Sequence, residues 1–384
     1  MTPANKAGSS VGEGQAAFRV VPFNVLAPGV QAIRTELDAA IARVLDRGWF
    51  LMGPELQAFE QQFAAYHGSE MQAVGVGTGT DALRIGLLAL GVQPDDEVLV
   101  VANAGIPPVA AVVATGARPV FCDVDPNTHT LEPGEIARHM TARTKVVLVV
   151  HLYGQPAAMD AIVASARAHG LKVLEDCAQA HGARSAGRLV GTYGDAAAFS
   201  FYPTKNLGAL GDAGAILTAD PHVAEQAGLL RSYGWRQRYL SELHSTVSRM
   251  DELQAAVLSA KLRHLDDWNS IRRRLAGRYR ARLHGLVEPP PEDGVFHLFV
   301  VRAPRRDALR AHLAEWGVST DVHYPVPAHL QAPYARFGSG PGSLPHTERL
   351  AHEIVSLPIH PELSEGDVDY VASQVRAFNV SHGT

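Results

Sequence analysis

Short apolar runs alternate with helical patterns over the first half of the chain, beginning near residue 73. Four runs each precede a predicted helix: Ala73–Val76 precedes 80–90, Val98–Val101 precedes 107–115, Val120–Cys122 precedes 133–140 and Val146–Val150 precedes 159–168. A fifth run, Val173–Leu174, is followed by a loop. Short runs that are apolar throughout and rich in β-branched residues are typical of buried parallel strands, and the helices between them are crossovers. The pattern predicts an α/β fold with helices on both faces of a mostly parallel sheet.

Helical patterns also flank this region, and they suggest a second unit. Residues 33–47 and 55–67 precede the sheet, and the strongly helical stretch from Met250 to Leu283 follows it before a break at Pro289–Pro291. Beyond the break we predict strands at 297–301 and 319–323 and helices at 307–316, 347–355 and 365–378. The predicted organisation is a flexible tail over 1–17, a large α/β domain over 18–250, and bridging helices with a smaller C-terminal α+β domain over 251–384.

Charge and cysteine content exclude several classes of protein. A net charge of -5 argues against binding to nucleic acid or to an anionic membrane, since both attract proteins with an excess of positive charge. No apolar run approaches the roughly 20 residues of a membrane span. Cys122 and Cys177 lie inside apolar runs, which favours buried structural thiols and a reduced, cytoplasmic setting. We find no metal-ligand spacing and expect no metal site.

One lysine, Lys205, lies in a small-residue turn between two apolar runs, Ala196–Phe199 and Ala215–Leu217. Lysine is scarce in this chain, and the others are Lys6, Lys145, Lys172 and Lys261. Unlike arginine, lysine can lose its proton and form a Schiff base. The turn alone does not distinguish such a lysine from a solvated loop residue.

Chemistry-bearing residues follow two of the other runs, at the edge where ligands bind in open α/β sheets. Small residues over Gly77–Thr80 expose backbone N–H groups at a helix N-terminus, which suits a phosphate, although Thr80 and Asp81 could equally cap the helix. Glu175 and Asp176 are two consecutive acids at the end of a buried strand, where burial is costly unless each is partnered. Gln179 and His181 follow closely.

Together these parts match what pyridoxal phosphate chemistry requires. A lysine amine holds the cofactor, and a carboxylate pairs with the pyridine nitrogen and keeps the ring an electron sink. A phosphate cradle keeps the ring and the lysine in register. Lys205, Asp176 and the Gly79–Thr80 turn are the candidates for these three parts.

At this point the sequence resembles the DegT/StrS-type sugar aminotransferases of the fold type I pyridoxal phosphate enzymes. The resemblance runs from about Val21 to Phe378. The stretches that carry it are Gly48-Trp49-Phe50 with Gly53-Pro54-Glu55, Gly79-Thr80-Asp81-Ala82-Leu83, Glu175-Asp176-Cys177-Ala178-Gln179-Ala180-His181-Gly182, Ser200-Phe201-Tyr202-Pro203-Thr204-Lys205-Asn206, Ser248-Arg249-Met250-Asp251-Glu252-Leu253-Gln254-Ala255-Ala256 and Ser356-Leu357-Pro358.

The resemblance implies a role for each matching residue. Lys205 would be the Schiff-base lysine and proton shuttle, Asp176 would pair with the ring nitrogen, and Gln179 would bond the phenolic oxygen. The remaining cofactor contacts would come from Gly79, Thr80, Gly105 and Ser200. The residues expected to face the sugar or its nucleotide diphosphate are His181, Tyr202, Tyr233, Trp235, His323, Tyr324 and His329.

Two positions depart from the family pattern. Family members often place an aromatic residue against the cofactor ring where this chain has Gly105, so either another side chain such as Ile106 stacks there or that face is open. They also often have an asparagine, reaching the neighbouring subunit's cofactor phosphate, where this chain has Val247. Ser248 or Arg249 could replace that contact.

The function implied is amino transfer from L-glutamate to a keto group of a nucleotide-linked sugar, with a dTDP-3-keto-6-deoxyhexose favoured by the segments around Trp235 and Tyr324. C4-keto sugars and ketocyclitols remain alternatives. A deoxysugar dehydratase of the same fold would carry histidine in place of Lys205. A regulatory protein that binds the cofactor without turnover is the alternative from another class. The family also implies a homodimer with shared active sites, for which Trp49 and Phe50 are candidate contacts.

Overall fold

The computed structural model describes residues 18–382, so the predicted tail over 1–17 lies outside the described residues. The helices, numbered in chain order, are α1 Ala27–Ala32, α2 Arg34–Arg47, α3 Pro54–His67, α4 Gly79–Ala89, α5 Ile106–Ala114, α6 Gly134–His139, α7 Met159–Ala168, α8 Pro221–Leu230, α9 Glu252–Leu262, α10 Leu265–Leu283, α11 Arg306–Glu315, α12 Pro345–Glu353 and α13 Glu365–His382. The strands are β1 Gln72–Val76, β2 Glu97–Val101, β3 Arg118–Cys122, β4 Thr144–Val150, β5 Lys172–Asp176, β6 Arg184–Ser185, β7 Arg188–Leu189, β8 Ala196–Ser200, β9 Gly214–Thr218, β10 Trp235–Gln237, β11 Leu240–Ser241, β12 Phe299–Arg302 and β13 Ile354–Leu357.

A seven-stranded sheet forms the centre of the molecule, in the order β1-β9-β8-β5-β4-β2-β3. The pairs from β3 to β8 are parallel, and β9 alone runs against its neighbours β8 and β1. Every residue of β2 and β9 is buried, as expected of strands covered on both faces. This confirms the predicted α/β fold class.

The register of the sheet sets which strand ends meet. Gly214 of β9 pairs with both Ser200 of β8 and Val76 of β1. Asp176 of β5 pairs with Val150 of β4. Because β9 runs antiparallel, its amino end lies at the same edge as the carboxyl ends of the other strands. The residues that follow these strands are therefore brought to one edge of the sheet.

The smaller unit is built on the strands β12 and β13, which are distant in sequence and pair antiparallel, with α10, α11 and α13 packed around them. Tyr279 of α10 is fully buried there, stacks on Phe299 at 4.8 Å between ring centroids, and donates a hydrogen bond to the carbonyl of Pro358. Val21 belongs to this core and forms a parallel bridge with Val318. The first described residues thus pack on the smaller unit, although the sequence analysis assigned them to the large domain.

Two predictions for the smaller unit were wrong in detail. The strand expected at 319–323 is reduced to an isolated bridge between Asp321 and Ser356, preceded by the bridge at Val318. The helix expected at 347–355 ends at Glu353, and the next four residues form β13. Their partner is β12, so pairing with a distant segment overrides the local helical pattern. None of the helices in residues 18–382 is long and apolar enough to cross a membrane.

Candidate active site

A cavity of about 330 Å³ opens at the edge of the sheet where the strand ends meet. We call it the sheet-edge cavity. Most of the residues predicted to hold the cofactor or the substrate line it, namely Gly79, Thr80, Gly105, Asp176, Gln179, Ser200, Tyr202, Lys205 and Tyr324. These residues come from stretches more than 200 positions apart in the sequence, and the sheet register brings together those that follow β1, β5 and β8.

Lys205 and Asp176 form the charged centre of this cavity. Burial lowers the pKa of Lys205 to about 8, with the nearby Asp176 carboxylate opposing that change. Burial raises the pKa of Asp176, while the hydrogen bond from the Ala178 amide and the charge of Lys205 oppose the rise. A lysine amine with a lowered pKa is more readily available as an unprotonated nucleophile near neutral pH. This is the chemical property that the sequence analysis sought in Lys205.

Gln179 is fixed by two hydrogen bonds and connects the two units of the molecule. Its Oε1 accepts from the Tyr153 amide at 2.6 Å, and its Nε2 donates to the Tyr324 hydroxyl at 3.2 Å. Tyr153 in turn donates from its own hydroxyl to the carbonyl of His323. The loop around Tyr324 is therefore tied to the sheet at the wall of the cavity.

The start of α4 forms a turn in which backbone and Ser200 approach closely. A Cβ on Gly79 would fall 2.4 Å from the Cβ of Ser200, so only glycine fits there. The Thr78 hydroxyl accepts from the Asp81 amide at 3.0 Å and caps the helix. Thus Thr78, rather than Thr80 or Asp81, is the capping residue. Thr80 and Ser200 remain on the cavity wall as hydroxyl groups beside a helix N-terminus, an arrangement that suits a phosphate.

Tyr324 lies against Gly105, where the family pattern often has an aromatic residue. A Cβ on Gly105 would fall 3.0 Å from Tyr324 Cζ and 3.2 Å from its hydroxyl oxygen. Ile106, the substitute considered from the sequence, begins α5 and does not line the sheet-edge cavity. An aromatic ring from the smaller unit thus occupies the space beside Gly105, so that face of the cavity is not left open.

Glu175, next to Asp176, is buried and holds a neighbouring loop through its backbone amides, a role that the sequence analysis did not assign to it. Its carboxylate accepts hydrogen bonds from the Gly191, Tyr193 and Gly194 amides at 2.7–2.8 Å and lies 3.0 Å from His151 Nε2. Burial alone would raise the pKa of Glu175, but the bonds from His151 and the amides lower it. Glu175, the first of the two consecutive acids, is therefore partnered, as its burial requires.

His151, Glu175 and Cys177 offer ligand atoms within 4.8 Å of one another, a grouping that the sequence analysis did not foresee. The donor atoms are already engaged. His151 Nδ1 accepts from the Ala157 amide at 3.1 Å, and the Glu175 oxygens have the four partners described above. Burial raises the pKa of the Cys177 thiol, which keeps it protonated. We interpret the group as support for the end of β5. Both cysteines are free and buried, as predicted.

Two residues expected to face the substrate are buried elsewhere. The His181 ring packs against Phe199 and Phe201, at 5.5 and 5.6 Å between centroids, and burial, reinforced by Lys205, lowers its pKa to about 3. His329 is fully buried, with its Nε2 3.1 Å from Glu348 Oε1. Neither lines the sheet-edge cavity, so both assignments are corrected: these side chains pack in the protein interior.

Three further predicted substrate residues, Tyr233, Trp235 and His323, are not among the residues that line the sheet-edge cavity. His323 stacks on Phe23 at 5.7 Å and its Nδ1 lies 2.8 Å from the Ser356 hydroxyl. Tyr233 and Trp235 contact each other at 4.9 Å beside the exposed β10–β11 hairpin. Val247 is also exposed, whereas Ser248 accepts from the Gly77 amide at 3.0 Å and supports the turn before α4.

The residues of the sheet-edge cavity fit pyridoxal 5′-phosphate. The turn that only glycine can form at residue 79 leaves room beside two hydroxyl groups for a phosphate. When the cofactor is bound, Asp176 would supply the acceptor for a ring N–H, Gln179 Nε2 a donor for a ring oxygen, and Lys205 the amine. When bound, this cofactor supplies an electron sink for chemistry at an amino-bearing carbon.

Two curated proteins are similar to this chain over almost its whole length. A curated Saccharopolyspora erythraea protein, the erythromycin biosynthesis sensory transduction protein EryC1, is 49% identical over 363 residues, covering 93% of this chain and 99% of its own. The dTDP-3-amino-3,4,6-trideoxy-alpha-D-glucose transaminase of Streptomyces venezuelae is 49% identical over 364 residues, covering 93% and 96%.

Solved structures extend the likeness to the fold. The crystal structure of S. venezuelae DesV in complex with a ketimine intermediate superposes with a TM-score of 0.91 at 49% identity, covering 94% of this chain and 98% of that one. The model of the DegT/DnrJ/EryC1/StrS aminotransferases matches residues 31–376. The chain therefore belongs to the DegT/DnrJ/EryC1/StrS aminotransferase family, whose enzymes depend on pyridoxal 5′-phosphate.

Proposed function

We propose that this protein transfers an amino group from L-glutamate to the keto group of a nucleotide-linked sugar, a dTDP-3-keto-6-deoxyhexose. The observation that carries the proposal is the convergence of Lys205, Asp176, Gln179 and the Gly79–Thr80 turn on one cavity. The choice of sugar is supported by the relatives named as transaminases of dTDP-3-amino sugars, which are 49%, 44% and 43% identical to this chain.

The proposed roles follow from position. Lys205 binds the cofactor and moves a proton at the reacting carbon, since its amine has a lowered pKa and lies in the cavity wall. Asp176 holds the ring nitrogen in its protonated form. Thr80 and Ser200 bind the phosphate, and Gln179 orients the ring. Tyr202 and Tyr324 contact the sugar, with His323 behind them.

A homodimer and a cytoplasmic location are part of the same proposal. Large apolar side chains are exposed around the start of α9, including Trp49, Phe50, Leu51, Leu210 and Val247. Leu51 bridges to Asp251, and the Leu210 amide donates to Gln254 at the same helix start, so these side chains share one surface. An apolar surface of this kind favours burial against a second copy. The two free cysteines favour a reducing compartment.

The proposal is tested with protein carrying the pyridoxamine form of the cofactor. We expect a dTDP-3-keto-6-deoxyhexose to restore the absorbance of the pyridoxal form, and expect a C4-keto sugar or a ketocyclitol to act more slowly. A faster response to one of the latter would reassign the substrate. Failure of L-glutamate to regenerate the amino form would contradict the donor, and cofactor binding without conversion by any substrate would favour the regulatory alternative.

A further inference from the structure

A second cavity, of about 240 Å³, lies on another side of Lys205. We call it the helix-side cavity. Its wall includes Lys205 itself, Leu26 just before α1, Lys261 and Trp268 from α9 and α10, and Arg272. Because Lys205 lines both cavities, a molecule in the helix-side cavity lies beside the amine that the proposed reaction uses.

The helix-side cavity has an excess of positive charge. Lys205, Lys261 and Arg272 line it, whereas Glu362 is the one carboxylate among its lining residues. His360 also lines it, with its Nδ1 3.3 Å from Glu362 Oε2. Burial lowers the pKa of Lys261 to about 8 and that of Arg272 to about 10, and Glu362 opposes both changes. Burying a cation is costly unless an anion compensates its charge. The single carboxylate of Glu362 cannot compensate all three cationic residues of this wall.

Arg272 and Lys261 both have N–H groups that lack a hydrogen-bond acceptor among the described residues. Arg272 is 4% exposed and donates from one terminal nitrogen to the carbonyls of Phe296 and Ile359, at 3.2 and 2.9 Å. Its Nε is buried and has no hydrogen-bond partner among residues 18–382. Lys261 donates to the carbonyl of Gly208, which takes one of its three N–H groups. A bound anion would supply the missing acceptors.

We infer that the helix-side cavity binds a carboxylate of the amino donor, with Lys261 and Arg272 as its cationic partners. The inference rests on the proposed function for the identity of the donor. Cavities that take drug-sized ligands measure about 300–1,000 Å³, so a cavity of about 240 Å³ suits an amino acid better than a nucleotide sugar. The shared wall at Lys205 brings the donor's amino-bearing carbon to the reacting amine.

Diphosphate is the other anion that the proposed reaction would supply, so the test uses a separate probe for each. Binding to cofactor-loaded protein is measured by calorimetry with glutarate, a dicarboxylate that has no amino group to transfer, and with dTDP. Lys261→Gln is expected to weaken glutarate binding about tenfold, the effect of losing one charged hydrogen bond, and to leave dTDP binding unchanged. Glu362→Gln removes the opposing carboxylate and is expected to tighten glutarate binding.

Two control variants distinguish an effect in the helix-side cavity from the general effect of removing a lysine. Lys145→Gln removes an exposed lysine on β4 and is expected to leave both affinities at the wild-type value. Lys261→Arg retains the charge and is expected to recover most of the glutarate affinity. Unchanged glutarate binding in Lys261→Gln, or a loss of dTDP binding in its place, would overturn the inference, as would an equal loss of both.

Glutarate binding requires no turnover, so the two proposals fail separately. If Lys261 governs glutarate affinity but no keto-sugar is aminated, the proposed sugar substrate fails and the cavity assignment stands. If the wild-type protein aminates keto-sugars and Lys261→Gln leaves the KM for L-glutamate unchanged, the cavity assignment fails and the proposed function stands.

Discussion

Gly105 and Tyr324 are neighbours in the fold although 219 positions separate them in the sequence. The absence of a side chain at residue 105 lets the Tyr324 ring approach the cavity and lets its hydroxyl accept from Gln179. The sequence revealed the missing aromatic at Gly105, but it could not show which residue fills the space. His181 illustrates the opposite case, because its proximity to Asp176 and Gln179 in sequence suggested chemistry whereas its ring is buried against phenylalanines.

Replacing Gly105 by alanine tests whether the contact with Tyr324 matters. The backbone at Gly105 has φ -60°, which alanine adopts without strain, so the effect would come from the added methyl group. We expect a displaced Tyr324, loss of its bond to Gln179, and a fall of about fivefold in kcat/KM for the keto-sugar, equivalent to about 1 kcal/mol.

Tyr324→Phe removes the same hydrogen bond from the other side and serves as the matched variant. Because both changes remove one interaction, the double variant is expected to lose no more than either single variant. Additive losses in steady-state kinetics would show that Gly105 acts through some other contact.

Asp176→Asn tests the charge beside Lys205. A neutral amide cannot hold the cofactor's ring nitrogen protonated, so we expect the half-reaction with L-glutamate to slow by at least about a hundredfold in single-turnover absorbance measurements. Asp160→Asn, an exposed change on α7, is the control and is expected to retain the wild-type rate. Near-wild-type amino transfer in Asp176→Asn would remove that residue from its proposed role.

Single elements of the fold were predictable where their pattern is long or strongly apolar. The helices α3, α4 and α7 and the strands β2 and β4 lie within two residues of their predicted bounds. The pattern failed for residues 319–323 and for residues 354 and 355, where the structure depends on pairing with distant segments. The sequence did not reveal which elements contact each other. The contact of Glu252, at the start of α9, with the start of α3 is an example.

The Glu252 carboxylate holds the start of α3. It is fully buried and accepts hydrogen bonds from the Gly53, Glu55 and Leu56 amides at 2.8, 2.9 and 3.0 Å. These are among the amides that a helix cannot satisfy internally. Glu252→Ala leaves them buried without an acceptor, and we expect the free energy of unfolding to fall by about 1–3 kcal/mol.

Urea unfolding at a fixed protein concentration measures that change. Glu252→Gln keeps one acceptor oxygen and is expected to lose less than Glu252→Ala. Glu315→Ala, at the exposed end of α11, is the control and is expected to stay within about 0.5 kcal/mol of the wild-type protein. Equal stability of Glu252→Ala and Glu315→Ala would show that the helix start does not depend on Glu252.

Viewed as a whole, the molecule keeps several histidines buried and uncharged. Burial lowers the pKa of His67 and His129 to about 4 and that of His181 to about 3, and it lowers the pKa of His297 as well. In the unfolded chain these groups take up protons below about pH 6.5. Between that pH and their folded pKa values the unfolded state binds more protons, so the folded state loses stability as the pH falls.

We therefore expect the free energy of unfolding to fall between pH 6.5 and pH 4.5, by up to about 1.4 kcal/mol per pH unit for each such histidine. His181→Leu removes one of these groups and should make the dependence shallower by that amount, whereas the exposed His222→Leu should not. Urea titrations at several pH values measure the slopes. Identical slopes for the wild-type protein and His181→Leu would contradict the assignment of His181 as a buried neutral group.

We propose that Lys205 is the lysine that binds the cofactor and that the amino donor displaces it. Borohydride reduction of the cofactor-loaded protein fixes a lysine-bound cofactor permanently, and peptide mass mapping then locates the label among the five lysines of the chain. We expect the label on the peptide containing Lys205, and expect prior incubation with L-glutamate to abolish it. Label on Lys261, which lines the helix-side cavity beside Lys205, or label on Lys205 that L-glutamate does not remove, would contradict the account.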